Sequence, residues 1–107
     1  MNKDIKITLI NILEHYQWRY VGLDHLKAVL YERGDVRIAI DDYGLFIYIR
    51  NDNRWLRIAG LSNACLESPI TSKLHCLWPI WLGGYHRQTP WQLNLQDGRL
   101  VQERPKL

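Results

Sequence analysis

His15, His25, His75 and His86 are the side chains of this chain best able to carry a proton near neutral pH, and so the candidates for general acid–base work. His86 sits in the run Gly83-Gly84-Tyr85-His86-Arg87-Gln88-Thr89, whose residue types suit a metal-free nuclease or phosphotransfer site. Nothing else in the sequence completes such a site. There is no nucleophile elbow, phosphate-binding loop, dinucleotide fingerprint or paired-carboxylate motif. Cys65, His75, Cys76 and His86 have the residue types of a zinc site, but structural zinc takes ligand pairs two to four residues apart on tight turns. Adjacent His75 and Cys76 would point in divergent directions. The sequence therefore assigns no catalytic residue, no metal ligand and no cofactor, and the expected function is non-enzymatic.

The residue types in surplus are aromatic, with five Trp and six Tyr against one Phe. Tyr and Trp join an apolar body to a polar tip, and they gather on contact surfaces as readily as in cores. The chemistry this composition offers is recognition, and its location depends on the elements that carry it.

Ile5, Leu9, Ile12, Leu13 and Tyr16 lie on one face of a helix predicted from about Lys3 to Gln17, with Asn2 or Asp4 as N-cap. Leu23, Leu26 and Leu30, with Val29, suggest a second helix opening at Gly22 or Asp24 and ending at Gly34. The period then switches to two. Val36, Ile38 and Ile40, then Leu45, Ile47 and Ile49, then Leu56 and Ile58 form the aliphatic sets of three strands, with Asp42-Tyr43-Gly44 and Asn51-Asp52-Asn53 as turns. Residues 60–90 fit neither period; a short helix over Ser72 to Leu77 is the only element suggested there. Trp91 to Gln96 alternates, Asp97-Gly98 signals a two-residue hairpin, and Arg99 to Gln102 returns. The predicted fold class is α+β: two N-terminal helices packed on an antiparallel three-stranded meander, plus a C-terminal β-hairpin, in a single domain over residues 1–107.

The register of the meander follows from its aliphatic pattern, because a one-residue slip inverts a strand. Closing Asp41 on Gly44 sets Ile38 opposite Ile47, and a turn at Asp52-Asn53 sets Ile49 opposite Leu56 and Ile47 opposite Ile58. One face is then aliphatic. The other gathers Arg37, Phe46, Tyr48, Arg50, Trp55 and Arg57: Tyr48 between Arg37 and Arg57, Arg50 beside Trp55, and Phe46 between Ala39 and Ala59. Strands about 4.8 Å apart put these side chains in contact, so the arginines can stack on Tyr48 and Trp55. These six residues are the candidate partner-binding site. A competing expectation covers this face with the segment Leu77-Trp78-Pro79-Ile80-Trp81-Leu82.

Single-stranded nucleic acid is the alternative ligand, since RNA binders stack bases on sheet aromatics beside arginines. The aromatic glycine-rich signature of the RNA-recognition motif is absent. A net charge of +3 is spread thinly, with four basic and four acidic residues over 35–60, so no phosphate track stands out. A winged helix needs a third helix and a basic recognition helix, and residues 24–33 carry only Lys27, Arg33 and His25 against Asp24 and Glu32.

No apolar run reaches 18 residues, and Asp4, Asn11 and Glu14 break the apolar positions near the N-terminus. Neither a membrane span nor a secretory signal is expected. Cys65 and Cys76 are then read as reduced thiols in a cytoplasmic protein. In size, α+β organisation and aromatic richness the chain resembles the small bacterial immunity proteins that neutralise a cognate toxin, such as those of contact-dependent growth-inhibition systems. That resemblance implies a protein partner, such as a toxin, and no cofactor. It rests on no motif, so no residue takes a role from it.

Overall fold

The computed structural model describes residues 3–42, 44–62, 77–80 and 91–102. Helix α1, Lys3–His15, buries Leu9, Ile12 and Leu13 and half-buries Ile5 and Ile10. Asp4 in its first turn complements the helix dipole. The helix ends in a Schellman motif: the Gln17 N–H donates to the Glu14 carbonyl and the Trp18 N–H to that of Leu13, with Gln17 in the left-handed region at φ 65°.

Trp18 follows, buried, and its indole Nε1–H donates to the Leu95 carbonyl across 2.7 Å. Seventy-seven residues separate the two in sequence, so this bond ties the helix end to the C-terminal part of the chain. Trp18→Phe keeps most of the apolar volume but leaves a buried carbonyl unpaired. The expected loss is about 1–3 kcal/mol of stability, read as a lower midpoint in urea denaturation with an unchanged slope.

The second predicted helix does not form. Residues 19–33 are instead an antiparallel pair, β1 (Arg19–Leu23) and β2 (Val29–Arg33). The Leu23, Leu26, Leu30 spacing imitates a helical face, but Leu23 and Leu26 are exposed, Leu26 by 74%. What wins locally is turn chemistry. One Asp24 carboxylate oxygen accepts from the Leu26 and Ala28 N–H groups at 2.8 and 2.9 Å, and Lys27 adopts φ 64°. Gly34, expected to end a helix, sits at φ 59° in a two-residue turn that pairs Arg33 with Val36.

The meander is therefore five-stranded, in the order β1-β2-β3-β4-β5, with β3 at Val36–Ile40, β4 at Gly44–Asn51 and β5 at Arg54–Ser62. Between β3 and β4 the register is the predicted one, with Ile40, Ile38 and Val36 opposite Leu45, Ile47 and Ile49. Asp41 closes the turn through its N–H to the Gly44 carbonyl, and its carboxylate accepts from the Gly44 N–H. From the tip of the next hairpin, Asn51, Arg50, Ile49 and Tyr48 face Arg54, Trp55, Leu56 and Arg57. The expected pairing of Ile47 with Ile58 then gives way to a bulge. Ile58 is the extra residue, so Ile47 faces Ala59 and Phe46 faces Gly60 rather than Ala59. The bulge puts Ala59 and Leu61 into the core and lets Ile58 pack against it.

The C-terminal elements also differ from expectation. Leu77–Ile80 is a strand, β6, pairing with β7 (Trp91–Asn94), which pairs with β8 (Arg99–Gln102) in a separate three-stranded sheet. The expected helix over residues 72–77 lies outside the described residues up to Cys76, and Leu77 opens β6. The Asp97-Gly98 turn is wider than two residues: Asn94 pairs with Arg99, the Gly98 N–H donates to the Asn94 carbonyl, and the Asn94 side chain accepts from the Gln96 N–H. The reason is Leu95. It is fully buried in the core with Leu93, so it is spent on packing and on the bond to Trp18 rather than on the ladder. Helix α1 and the second sheet, through Leu93, Leu95 and Leu100, together cover the aliphatic face where two helices were expected. No helix among the described residues is long and apolar enough to cross a membrane.

Candidate protein-binding face

The opposite face of the five-stranded sheet carries all six predicted site residues. Three cross-strand rows build it. Arg50 pairs with Trp55 in the first; Arg19, Glu32, Arg37, Tyr48 and Arg57 run across all five strands in the second; Gly22, Leu30, Ala39, Phe46 and Gly60 form the third. Phe46, Tyr48 and Trp55 are half-buried, while Arg50 and Arg57 are exposed. The second sheet inserts Leu93 and Leu95 on the aliphatic side. Trp81, part of the segment expected to cover the arginine face, lies outside the described residues.

The guanidinium groups lie over the rings. Arg37 Cζ is 4.5 Å and Arg50 Cζ 5.0 Å from the Trp55 ring centroid, and Arg57 Cζ is 3.9 Å from that of Phe46. Arg57 was expected over Tyr48; the bulge after it brings Phe46 within reach instead. Gly60 makes room, because a Cβ there would stand 3.2 Å from the Phe46 ring. Each stack contributes about 0.5–1 kcal/mol at such exposed sites, and it holds a long cation in one orientation before any partner arrives.

Two participants escape the sequence reading, Arg19 and Glu32: Glu32 lies in the segment read as the second helix, and Arg19 in the link that precedes it. Glu32 accepts from Arg37 through Nε, at 2.8 Å, and through Nη2, and from Arg19 Nη2 at 3.1 Å. Burial by itself pushes the Glu32 carboxyl up, but hydrogen bonds and charge from Arg37, then Arg19, outweigh it and leave the pKa below its ordinary value. A carboxylate with a depressed folded-state pKa stabilises the fold above its unfolded value of about 4.3, and that contribution is lost as pH falls through the folded value. Wild-type protein should thus lose stability below about pH 4.3 more steeply than Glu32→Gln, in paired urea titrations over the acid range.

On the aliphatic side of the same strand, burial and then the Glu14 carboxylate, which accepts from it at 3.1 Å, push the Tyr31 hydroxyl up to about 12. This tyrosine is a structural donor and stays neutral at ordinary pH.

The sheet sorts charges that the sequence interleaves. Asp35, Asp41, Asp42 and Asp52 fall in turns, while Arg37, Arg50 and Arg57 share the face with Arg19. Four arginines stand there against one glutamate. Among the described residues no carboxylate forms an ion pair with Arg50 or Arg57. Of the four histidines, His15 ends α1 and His25 sits in the β1–β2 turn, both exposed; His75 and His86 lie outside the described residues, as do Cys65 and Cys76. Among the described residues no three of His, Cys, Asp or Glu come together as a metal site requires.

No protein family, curated protein or solved structure matches this chain. The function therefore has to be argued from the face itself.

Proposed function

We propose that this chain is a non-enzymatic module that binds a protein partner on the arginine–aromatic face of its five-stranded sheet. The observation that carries the reading is the stacking of Arg37, Arg50 and Arg57 on Trp55 and Phe46. Arg and Trp dominate interface hot spots, and here the guanidiniums are already stacked on rings of the sheet, which reduces the ordering entropy left to lose. A small inhibitor that neutralises its partner, such as a bacterial immunity protein acting on a toxin, needs a face of this kind and no chemistry.

The size of the face sets a condition. Five strands by about five residues span roughly 19 by 16 Å, or about 300 Å² in projection. A standard interface buries about 800 Å² on each partner. A partner must therefore reach beyond the three rows. The β1–β2 turn extends the surface beyond Leu30, with Leu26 at its tip 74% accessible; Tyr20 and Leu23, paired with Tyr31 and Val29, belong to the other side of the sheet.

Nucleic acid is the second reading, favoured by four arginines on one face. It asks for open aromatic surfaces on which bases stack. Three guanidiniums occupy ring faces of Trp55 and Phe46, which leaves less of them for bases. Affinity capture on the tagged chain, with and without nuclease, separates the two. A stoichiometric protein that stays bound after nuclease supports the first reading; recovery abolished by nuclease removes it.

A further inference from the structure

A hollow of about 160 Å³ opens on this face between Asp24, His25, Leu30, Arg37, Tyr48 and Trp55. Small-molecule sites run to about 300–1,000 Å³, so this one is sized for a single side chain. Its two charged lining residues already have partners within the fold. Asp24 accepts from the Leu26 and Ala28 N–H groups, and Arg37 is held by Glu32 and by the Trp55 ring. An apolar group entering between Leu30, Tyr48 and Trp55 leaves neither of those two charges without its internal partner, which is the condition for apolar burial to be favourable.

Arg50 and Arg57 differ from Arg37. Both are exposed, each has an aromatic ring under its guanidinium, and among the described residues neither is ion-paired. Stacking uses the plane of a guanidinium and leaves its in-plane N–H donors, the fork that matches a carboxylate. Glu32, the one carboxylate on the three rows, is taken by Arg19 and Arg37. The face thus holds a mostly apolar hollow and, on the neighbouring strands, two pre-oriented cations that have no ion-pair partner among the described residues.

Resting on the protein-binding reading, we infer that the partner presents an acidic segment: carboxylates on Arg50 and Arg57, which pair with the lining residues Trp55 and Tyr48, and one aliphatic side chain that fills the hollow at Leu30, Tyr48 and Trp55. Charge complementarity fixes the class of occupant, and the hollow fixes the single apolar anchor. A phosphodiester strand meets the two arginines but offers the hollow a planar base rather than a flexible aliphatic side chain.

The test uses short probes and the full chain, followed by the NMR signals of the arginine Nε–H groups and the Trp55 indole. The probes are the blocked peptide Asp-Glu-Leu-Asp-Glu, its Asn-Gln-Leu-Asn-Gln counterpart, its Asp-Glu-Ala-Asp-Glu counterpart, and a five-nucleotide thymidine oligomer. The expected result is that the acidic Leu peptide shifts Arg50, Arg57 and Trp55 together. It should bind about tenfold more tightly than the neutral peptide and severalfold more tightly than the Ala peptide. The double substitution Arg50→Gln with Arg57→Gln should remove the tenfold preference while leaving a cooperative melt, lowered only by the several degrees that two lost stacks imply. Equal binding of acidic and neutral peptides, absence of peptide binding, or tighter binding of the oligomer each overturns the inference. The first two leave the protein-binding reading standing if a captured partner still depends on Trp55; loss of that dependence overturns the reading itself.

Discussion

Ile47→Asp is expected to abolish the folded state. Ile47 is fully buried at the centre of β4, with Ile38 opposite it on β3 and Ala59 on β5. It belongs to the cluster that α1 covers with Leu9 and Leu13 and the second sheet with Leu93 and Leu95. Truncating a buried isoleucine costs about 2–5 kcal/mol in lost transfer energy and cavity. An aspartate adds the desolvation of a carboxylate inside a cluster that among the described residues holds no cation, so the group either binds a proton against its ordinary pKa or stays charged in an apolar site; either adds several kcal/mol. The sum matches or exceeds the roughly 5–15 kcal/mol by which such a domain is stable. Far-UV circular dichroism and urea titration at neutral pH should show no cooperative transition. A mutant that melts cooperatively near wild type would mean that Ile47 does not face the core, and the sheet would have to be turned over.

The same residue shows why part of the fold was legible. From Val36 to Ile49, three aliphatic residues on each of two strands alternate, and the observed register puts all six on one face, with five of them buried. Pattern and tertiary packing agree there. They disagree over residues 19–33, where leucines at helical spacing stand against Tyr20, Val21, Val29 and Tyr31, residues that favour strands. The deciding signals were local: Asp24 placed to accept from its own turn, and Gly34-Asp35 between alternating residues, a hairpin pair as much as a helix stop. Reading Gly34 as a helix terminus cost two strands, and with them Arg19 and Glu32 in the central row of the face.

The bulge at Ile58 was less accessible. A bulge is a property of a strand pair, and nothing in β5 alone marks which residue is extra, although Gly60 beside a run of large side chains hints at a close approach. On the site it sets Gly60 rather than Ala59 opposite Phe46 and moves Arg57 from Tyr48 to Phe46. The six residues share one face, as the alternation predicts, because they sit in the part of the meander whose register the aliphatic pattern dictates. The charge asymmetry was not, because acidic residues of the turns and arginines of the strands alternate in sequence and separate only in space. A count over residues 35–60 reads neutral where the folded face is strongly basic.

Trp55→Ala should separate binding from folding. Trp55 is half-buried, with Arg37 and Arg50 over its ring and the hollow beside it. Removing it forfeits two exposed stacks, about 0.5–1 kcal/mol each, and part of one ring's burial, so the loss of stability should stay near about 2 kcal/mol. Trp18 is the internal standard. It is the same residue type, 4% exposed and hydrogen-bonded to Leu95, and Trp18→Ala should cost about 3–5 kcal/mol of stability. Binding should rank the two the other way. A hot-spot tryptophan contributes about 2 kcal/mol or more to a complex, so Trp55→Ala should weaken a captured protein partner by about thirtyfold, whereas Trp18→Ala, measured where it remains folded, should leave affinity nearly unchanged. The salt dependence of the lost affinity carries the remaining information. Ion pairs made by Arg50 and Arg57 to carboxylates weaken gradually with ionic strength, while displaced phosphate counterions give a linear dependence on the logarithm of salt, with a slope near −0.7 per contact on a single strand. If Trp55→Ala melts as far below wild type as Trp18→Ala, then Trp55 is a core residue and the partner must dock elsewhere.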